Sequence, residues 1–162
     1  MMQPVRDRAD LVIDTSRLST AQLRGELLDF FGEEGKKGGM TVSLMSFGFK
    51  HGLPLEADLV FDVRFMPNPF YIEELRPQTG LDQAVSEYVF SFPQTGDYLS
   101  RLQELLAFSL PLYAEEGKTS LVIAVGCTGG HHRSVAMAHA LAEFIRKQGY
   151  QVMEHHRDIS RS

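Results

Sequence analysis

Residues 122–134 read VIAVGCTGGHHRS, an apolar, largely β-branched run that passes through glycines into a helical pattern. Glycines let backbone N–H groups converge on an anion, and a following helix adds the partial positive charge of its N-terminus. Arg133 can complete such a site with a planar set of donors that suits phosphate oxygens. The stretch therefore predicts a strand, an anion-binding loop and a helix in succession.

Strands and helices alternate on both sides of this stretch. Apolar runs predict strands at residues 41–47, 58–64, 120–125 and 151–153. Apolar residues at helical spacing predict helices at 82–90, from 98 toward 113 with a kink at Pro111, and from 135 to the basic turn at 146–147. The alternation predicts an α/β fold in which helices flank a central, largely parallel sheet and a phosphate-binding loop joins a strand to a helix.

The first 39 residues differ in character from the rest of the 162-residue chain. Residues 10–14 predict a strand and 20–31 a helix, and two elements alone cannot bury both of their faces. Residues 32–39, GEEGKKGG, form a glycine-rich, charged connector. We therefore expect residues 1–39 to be the tail of a longer N-terminal domain, and residues 40–162 to form the domain that contains the loop.

Composition restricts the class of protein. The formal net charge of −5 argues against nucleic-acid binding that relies on bulk positive charge. Cys127 is the single cysteine, so an internal disulfide is impossible. The sequence has neither a secretory signal pattern nor an apolar run of membrane length, which predicts a cytoplasmic protein without a membrane partner.

Cys127 and Arg133 are separated by five residues, the spacing that cysteine-dependent phosphatases use to hold phosphate. In such an enzyme the thiolate attacks phosphorus, Arg133 and the loop amides hold the oxygens, and Asp62 or Asp97 protonates the leaving group. Gly126 stands where those enzymes usually carry histidine. A buried structural role for Cys127 and a helix-start ion pair for Arg133 are the alternatives.

Two further patterns involve polar side chains. Asp62 and Arg64 lie two residues apart in a predicted strand, so they share one face and either form an internal ion pair or point into a site. The adjacent histidines at 131–132 and at 155–156 lack the spacing of known metal motifs, so no metal site is expected. The chain also contains no GxxxxGK[ST] nucleotide-binding motif.

Four ordered motifs resemble the C-terminal domain of the RNase adapter protein RapZ family, whose members are also described as P-loop nucleotide-binding proteins. They are SFGFKHG at 46–52, FDVRFMPNP at 61–69, RPQTGLD at 76–82 and GCTGGHHRSV at 126–135. The resemblance runs from about residue 41 to the C-terminus. Residues 10–23 resemble the end of the family's N-terminal kinase-like domain, whose Walker motif this chain lacks.

The resemblance implies a metabolite-binding regulatory domain, a sensor and adapter, in preference to an enzyme. Family members bind glucosamine-6-phosphate, a small RNA and protein partners through this domain, which also self-associates, so a homo-oligomer is expected. No cofactor is expected here, because ATP or GTP would belong to the N-terminal domain. Carried over by motif, the ligand contacts are Asp62, Arg64, Cys127, Thr128, Gly129, Gly130, His132 and Arg133, with Lys50 and His51 nearby.

The chain departs from the family pattern at two places. Phe70 stands where the pattern has a histidine after Asn-Pro, which removes one polar sugar contact. The C-terminus lacks the lysine-rich tail that serves RNA binding in the family. An RNA-binding module remains an alternative function, and its basic patch would consist of Arg146, Lys147, Arg157 and Arg161.

Overall fold

The computed structural model describes residues 39–161 of the chain. The strand predicted at residues 10–14, the helix predicted at 20–31 and the connector up to residue 38 lie outside the described residues. Within residues 39–161, no helix combines the length and the apolar character needed to cross a bilayer.

The centre of the domain is a sheet of four parallel strands. They are β1 (Thr41–Gly48), β2 (Leu59–Asp62), β3 (Ser120–Cys127) and β4 (Gln151–His156), in the spatial order β2-β3-β1-β4. The two inner strands, β1 and β3, are buried along most of their length. A parallel strand covered on both faces must be apolar on both faces, which explains their continuous apolar runs. The predicted α/β fold with a parallel sheet is confirmed.

Three helices flank the sheet in the described part of the chain: α1 (Gln83–Phe90), α2 (Pro93–Glu115) and α3 (Arg133–Lys147). Helix α2 begins five residues earlier than Tyr98, where the apolar pattern starts, because Pro93 suits the first turn of a helix. The helix continues through Pro111 to Glu115. Helix α3 packs against β1, β3 and β4 and buries most of its first ten residues.

The core lies between the sheet and the helices. Its largest fully buried side chains come from the inner strands, from the residue just before β1 and from helices α2 and α3: Phe47, Met40, Leu44, Leu106, Leu110, Leu121, Ile123, Met137, Leu141 and Ile145. Burying one such side chain contributes about 1.5–3 kcal/mol. The core therefore fixes the sheet and α3 relative to each other, and with them the loop that joins β3 to α3.

Strand β4 extends to His156, three residues beyond the predicted end. The added residues are polar, and two of them, Glu154 and His156, belong to a hydrogen-bonded network. His156 Nε2 and His139 Nδ1 both lie 2.8 Å from the Glu154 carboxylate, and His156 Nδ1 lies 2.7 Å from the Ser46 hydroxyl. The pattern of apolar residues does not predict this part of the strand, because hydrogen bonds between polar side chains stabilise it in place of apolar burial.

The Glu154 network predicts a pH-dependent contribution to stability. Burial raises the pKa of Glu154, but hydrogen bonds from His139 and His156 outweigh it and hold the pKa below its usual value of 4.5. Glu154→Gln is therefore expected to reduce the free energy of unfolding near neutral pH, by about 1.5–3 kcal/mol. The deficit should close as the pH falls through the lowered pKa, because the wild-type carboxyl then becomes neutral too.

Urea unfolding across a pH series measures this difference. Glu143→Gln is the matched control, since Glu143 is exposed and contacts only His139 of this network. A deficit for Glu154→Gln that stays constant from neutral to strongly acidic pH would rule out the electrostatic origin.

Candidate functional site

The carboxyl ends of three parallel strands meet at one edge of the sheet. In the strand register, Gly48 at the end of β1 lies beside Cys127 of β3, and Asp62 at the end of β2 lies beside Gly126. Ligands of open α/β sheets bind in crevices outside these strand ends. A pocket of about 470 Å³ lies there, lined by Lys50, Asn68, Phe70, Tyr71, Cys127, Thr128, Gly129, His131, His132 and Arg133.

The loop between β3 and α3 forms one wall of the pocket and lies tightly against the end of β1. Gly130 has φ of 84°, a conformation that favours glycine. A Cβ on Gly48 would lie 2.4 Å from the carbonyl carbon of Gly129 and 2.9 Å from the amide nitrogen of Gly130. The loop can therefore lie this close to the end of β1 only because Gly48 and Gly130 have no side chains.

Arg133 is the first residue of α3, and its side chain is almost completely buried, with 5% exposed. Its Nη1 donates to the carbonyl oxygens of Arg64 at 2.7 Å and Met66 at 3.1 Å, and its Nη2 lies 3.5 Å from the Thr128 hydroxyl. Its Nε is buried without a hydrogen-bond partner. These contacts hold the guanidinium in a fixed orientation against the loop.

No acidic side chain among residues 39–161 forms an ion pair with Arg133. A buried cation is costly unless it is paired, and a buried unsatisfied donor adds about 1–3 kcal/mol. Within the described residues, Arg133 therefore does not form the helix-start ion pair that was the alternative role for it. The arrangement leaves Arg133 as a buried positive charge without a carboxylate partner in the described part of the chain, and with one donor, Nε, that has no acceptor.

Cys127 ends β3 and is 2% exposed, at the wall of the pocket. The amide of Gly130 donates to its sulfur at 3.3 Å, and the thiol donates to the Ser134 hydroxyl at 3.2 Å. The sulfur therefore connects the loop to the first turn of α3. This placement is compatible with both roles predicted for Cys127, the structural one and the chemical one.

His132 precedes α3 and is also buried. Burial lowers the pKa of His132 below its usual value, so the ring is neutral near pH 7. Its Nε2 lies 3.2 Å from the carbonyl oxygen of Arg76. The lysine and arginine charges that line the pocket are those of the buried Arg133 and the exposed Lys50.

Asp62 and Arg64 lie beside the pocket and do not line it. Strand β2 ends at Asp62, so Arg64 lies beyond it and the prediction that both share one face of a strand is wrong. The side chains form a half-exposed ion pair of 2.7 Å, with the Arg64 guanidinium 3.9 Å from the centre of the Phe49 ring. Hydrogen bonds from Arg64 hold the pKa of Asp62 below its usual value, so this carboxyl is ionised.

The other predicted site residues are placed as follows. Gly130 and His51 lie outside the pocket lining, and the Nε2 of His51 is buried without a partner. Asp97 is an exposed residue in the first turns of α2. No group of three or more histidine, cysteine or acidic side chains within residues 39–161 is arranged to hold a metal ion.

Three of the four basic residues of the predicted RNA patch lie next to carboxylates. Arg146 is 3.5 Å from Glu154, and Arg157 and Arg161 lie 2.8 Å and 3.2 Å from Asp158. Lys147 is exposed at the end of α3. Much of the positive charge of this patch is thus neutralised within the domain.

Asn68, Phe70, Tyr71 and His131 all line the pocket, although the sequence predicted none of them as a ligand contact and marked Phe70 only as a departure from the family pattern. Asn68 accepts the Phe70 amide at 3.1 Å and caps a short 3₁₀ helix, Pro69–Tyr71. Arg76 donates to the Phe70 carbonyl at 2.7 Å and lies 4.9 Å from the ring centre. The sequence does offer one indication for Asn68, Phe70 and Tyr71, because they follow a parallel strand whose carboxyl end lies at the same edge of the sheet as the loop.

Comparison with known proteins agrees with the motifs. The family description "RapZ C-terminal domain" matches residues 40–160. A nucleotide-binding protein of Thermoanaerobacter sp. (strain X514) is 54% identical over 155 residues, which cover 96% of this chain and 55% of the relative. A nucleotide-binding protein of Carboxydothermus hydrogenoformans is 49% identical over 160 residues, covering 99% of this chain and 55% of the relative. The chain thus spans about half the length of the relatives it matches, and it belongs to the RapZ C-terminal domain family.

Proposed function

We propose that the pocket binds the phosphate group of a phosphorylated metabolite, and that the domain acts as a metabolite sensor and adapter. The observation that carries this proposal is the buried Arg133 guanidinium, which has no carboxylate partner in the described chain and has an unused Nε donor. A bound dianion would use that donor and compensate the charge. The N-terminus of α3 and the amides of the loop favour an anion at the same place.

An amino-sugar phosphate similar to glucosamine 6-phosphate is the first candidate for the whole ligand. The pocket volume of about 470 Å³ accommodates a hexose phosphate, because ligand sites usually measure about 300–1,000 Å³. Phe70 and Tyr71 line the pocket and are exposed, so their aromatic rings offer a surface on which the apolar face of a sugar ring can pack. Asn68 and Thr128 offer polar groups for its hydroxyl or amino substituents.

Isothermal titration of the wild-type protein with three compounds tests the proposal. We expect glucosamine 6-phosphate to bind most tightly and inorganic phosphate to bind more weakly, because phosphate fills only part of the pocket. Glucosamine, which lacks the phosphate, should show no binding. The proposal fails if neither phosphate compound binds, or if glucosamine binds as well as its phosphate ester.

A cysteine-dependent phosphatase is the second candidate. The observation in its favour is that the Cys127 sulfur contacts the Gly130 amide and the Ser134 hydroxyl, two groups that can support a thiolate. Against it, Asp62 is ionised and paired with Arg64, so it has no proton for a leaving group. Turnover of an aryl phosphate that Cys127→Ser abolishes would support the enzyme, and binding without turnover supports the sensor.

A further inference from the structure

We propose that Asp158 is a positioning residue for the anion-binding loop, which it holds through the amide of Gly48. Asp158 belongs to a segment after β4, residues 157–161, here called the C-terminal strap, which contacts Gly48 at the end of β1 and His131 of the loop. It does not line the pocket, so it acts on the ligand only through other residues. The proposal rests on the proposed function, because the loop that it positions is the phosphate-binding one.

The Asp158 side chain is fully buried, and the groups around it are fixed by hydrogen bonds. Its Oδ2 accepts the Gly48 amide at 2.8 Å and the Arg157 guanidinium at 2.8 Å, and its Oδ1 lies 3.2 Å from Arg161 Nη1. Burial raises the pKa of Asp158, but the hydrogen bonds from Arg157 and Gly48 outweigh it and leave the carboxyl ionised. A charged acceptor of this kind makes a strong, directional bond to the Gly48 amide.

Gly48 in turn determines where the loop can lie. A Cβ on Gly130 would lie 2.7 Å from the Gly48 nitrogen and 2.9 Å from the Asp158 Cβ, so the three residues touch. The Gly130 amide donates to Cys127 at the pocket wall. A shift of Gly48 away from Asp158 therefore moves the loop that binds the anion.

The strap is anchored at further points that do not involve Asp158. Its Arg157 amide donates to the Ser46 carbonyl at 3.0 Å, and Arg157 Nη2 donates to the Gly52 carbonyl at 2.7 Å. His131 of the loop hydrogen-bonds with the Arg161 carbonyl. These contacts keep the strap in place when the Asp158 carboxylate is altered, so a substitution there tests the link to Gly48.

Asp158→Asn keeps the size of the side chain and removes its charge. We expect it to raise the Kd for glucosamine 6-phosphate and for inorganic phosphate about tenfold, within the usual range for coupling between neighbouring sites. Glu154→Gln is the control, since it weakens the domain at β4 without touching the loop and should change either Kd less than about twofold. All titrations are run well below the melting temperature of every variant.

The proposal is wrong if folded Asp158→Asn binds both ligands like the wild type, or if Glu154→Gln weakens binding equally. Should Asp158→Asn fail to fold, Asp158→Glu keeps the charge but displaces the carboxylate, and wild-type affinity in that variant overturns the proposal. If the wild type binds neither ligand, the proposed function fails, and hydrogen exchange decides the positioning role. The Gly48 and Gly130 amides should then exchange faster in Asp158→Asn than in Glu154→Gln, and equal rates would contradict it.

Discussion

Arg133→Ala is expected to abolish measurable phosphate binding while the domain stays folded. The substitution removes the guanidinium whose Nε has no partner and whose Nη1 is held by the carbonyls of Arg64 and Met66. Removing one member of a buried, hydrogen-bonded charge pair costs about 2–5 kcal/mol of binding, or roughly two orders of magnitude or more in Kd. No carboxylate in the described chain loses a salt bridge to Arg133, which is why we expect the variant to fold.

Two further variants separate charge from geometry. Arg101→Ala removes one positive charge from an exposed position on α2 and should leave phosphate affinity unchanged. Arg133→Lys keeps the charge but cannot hold both carbonyls and still present a free planar donor, so its affinity should be intermediate. Calorimetric titration of the three variants gives the comparison, and wild-type affinity in Arg133→Ala would show that the anion binds elsewhere.

Gly48→Ala is expected to destabilise the domain strongly. The added methyl group would lie 2.4 Å from the Gly129 carbonyl carbon and 2.5 Å from its oxygen. Both are backbone atoms, which cannot turn aside as a flexible side chain can, so β1 and the loop must separate. We expect a loss of about 3 kcal/mol or more in the free energy of unfolding, which corresponds to a melting temperature roughly 10 °C lower.

Gly96→Ala is the matched control for this prediction. Gly96 lies in α2, and a Cβ there meets nothing within 4 Å. Alanine in a helix is about 0.5–1 kcal/mol more favourable than glycine, so this variant should be slightly more stable than the wild type. Thermal unfolding measures the difference in melting temperature between the two variants. Equal melting temperatures would show that the close approach of Gly48 to the loop does not affect the stability of the domain.

The fold was predictable because its inner strands carry the strongest local signals. β1 and β3 are buried on both faces and read as continuous apolar runs, and α3 shows helical spacing after the loop. Strand β4 was predicted too short, since its last residues are polar and satisfied by partners distant in sequence, such as Ser46. The periodicity of apolar residues along the sequence cannot reveal a hydrogen-bond partner that comes close only when the sheet forms.

The same distinction applies to the candidate site. The sequence predicts the loop at 126–134 because strand, glycines and helix follow one another without a break. It does not predict that Asp62 and Arg64 pair with each other beside the pocket, or that Asp158 lies against Gly48 from 110 residues away. The sequence also does not predict that Phe70 and Tyr71 line the pocket. Their placement depends on the turn after β2, which is held by the hydrogen bonds of Asn68 and Arg76 with the backbone of Phe70.

The most direct test of the central claim observes the Arg133 Nε–H group itself. In a ¹⁵N-labelled protein this proton reports the formation of a hydrogen bond, and Arg133 Nε has no acceptor among residues 39–161. Titration with glucosamine 6-phosphate should shift the Arg133 Nε–H resonance downfield in step with the amides of Thr128 to Gly130, and saturate with them. If the ligand saturates other resonances while the Arg133 Nε–H and the loop amides stay unmoved, the pocket is not the phosphate site.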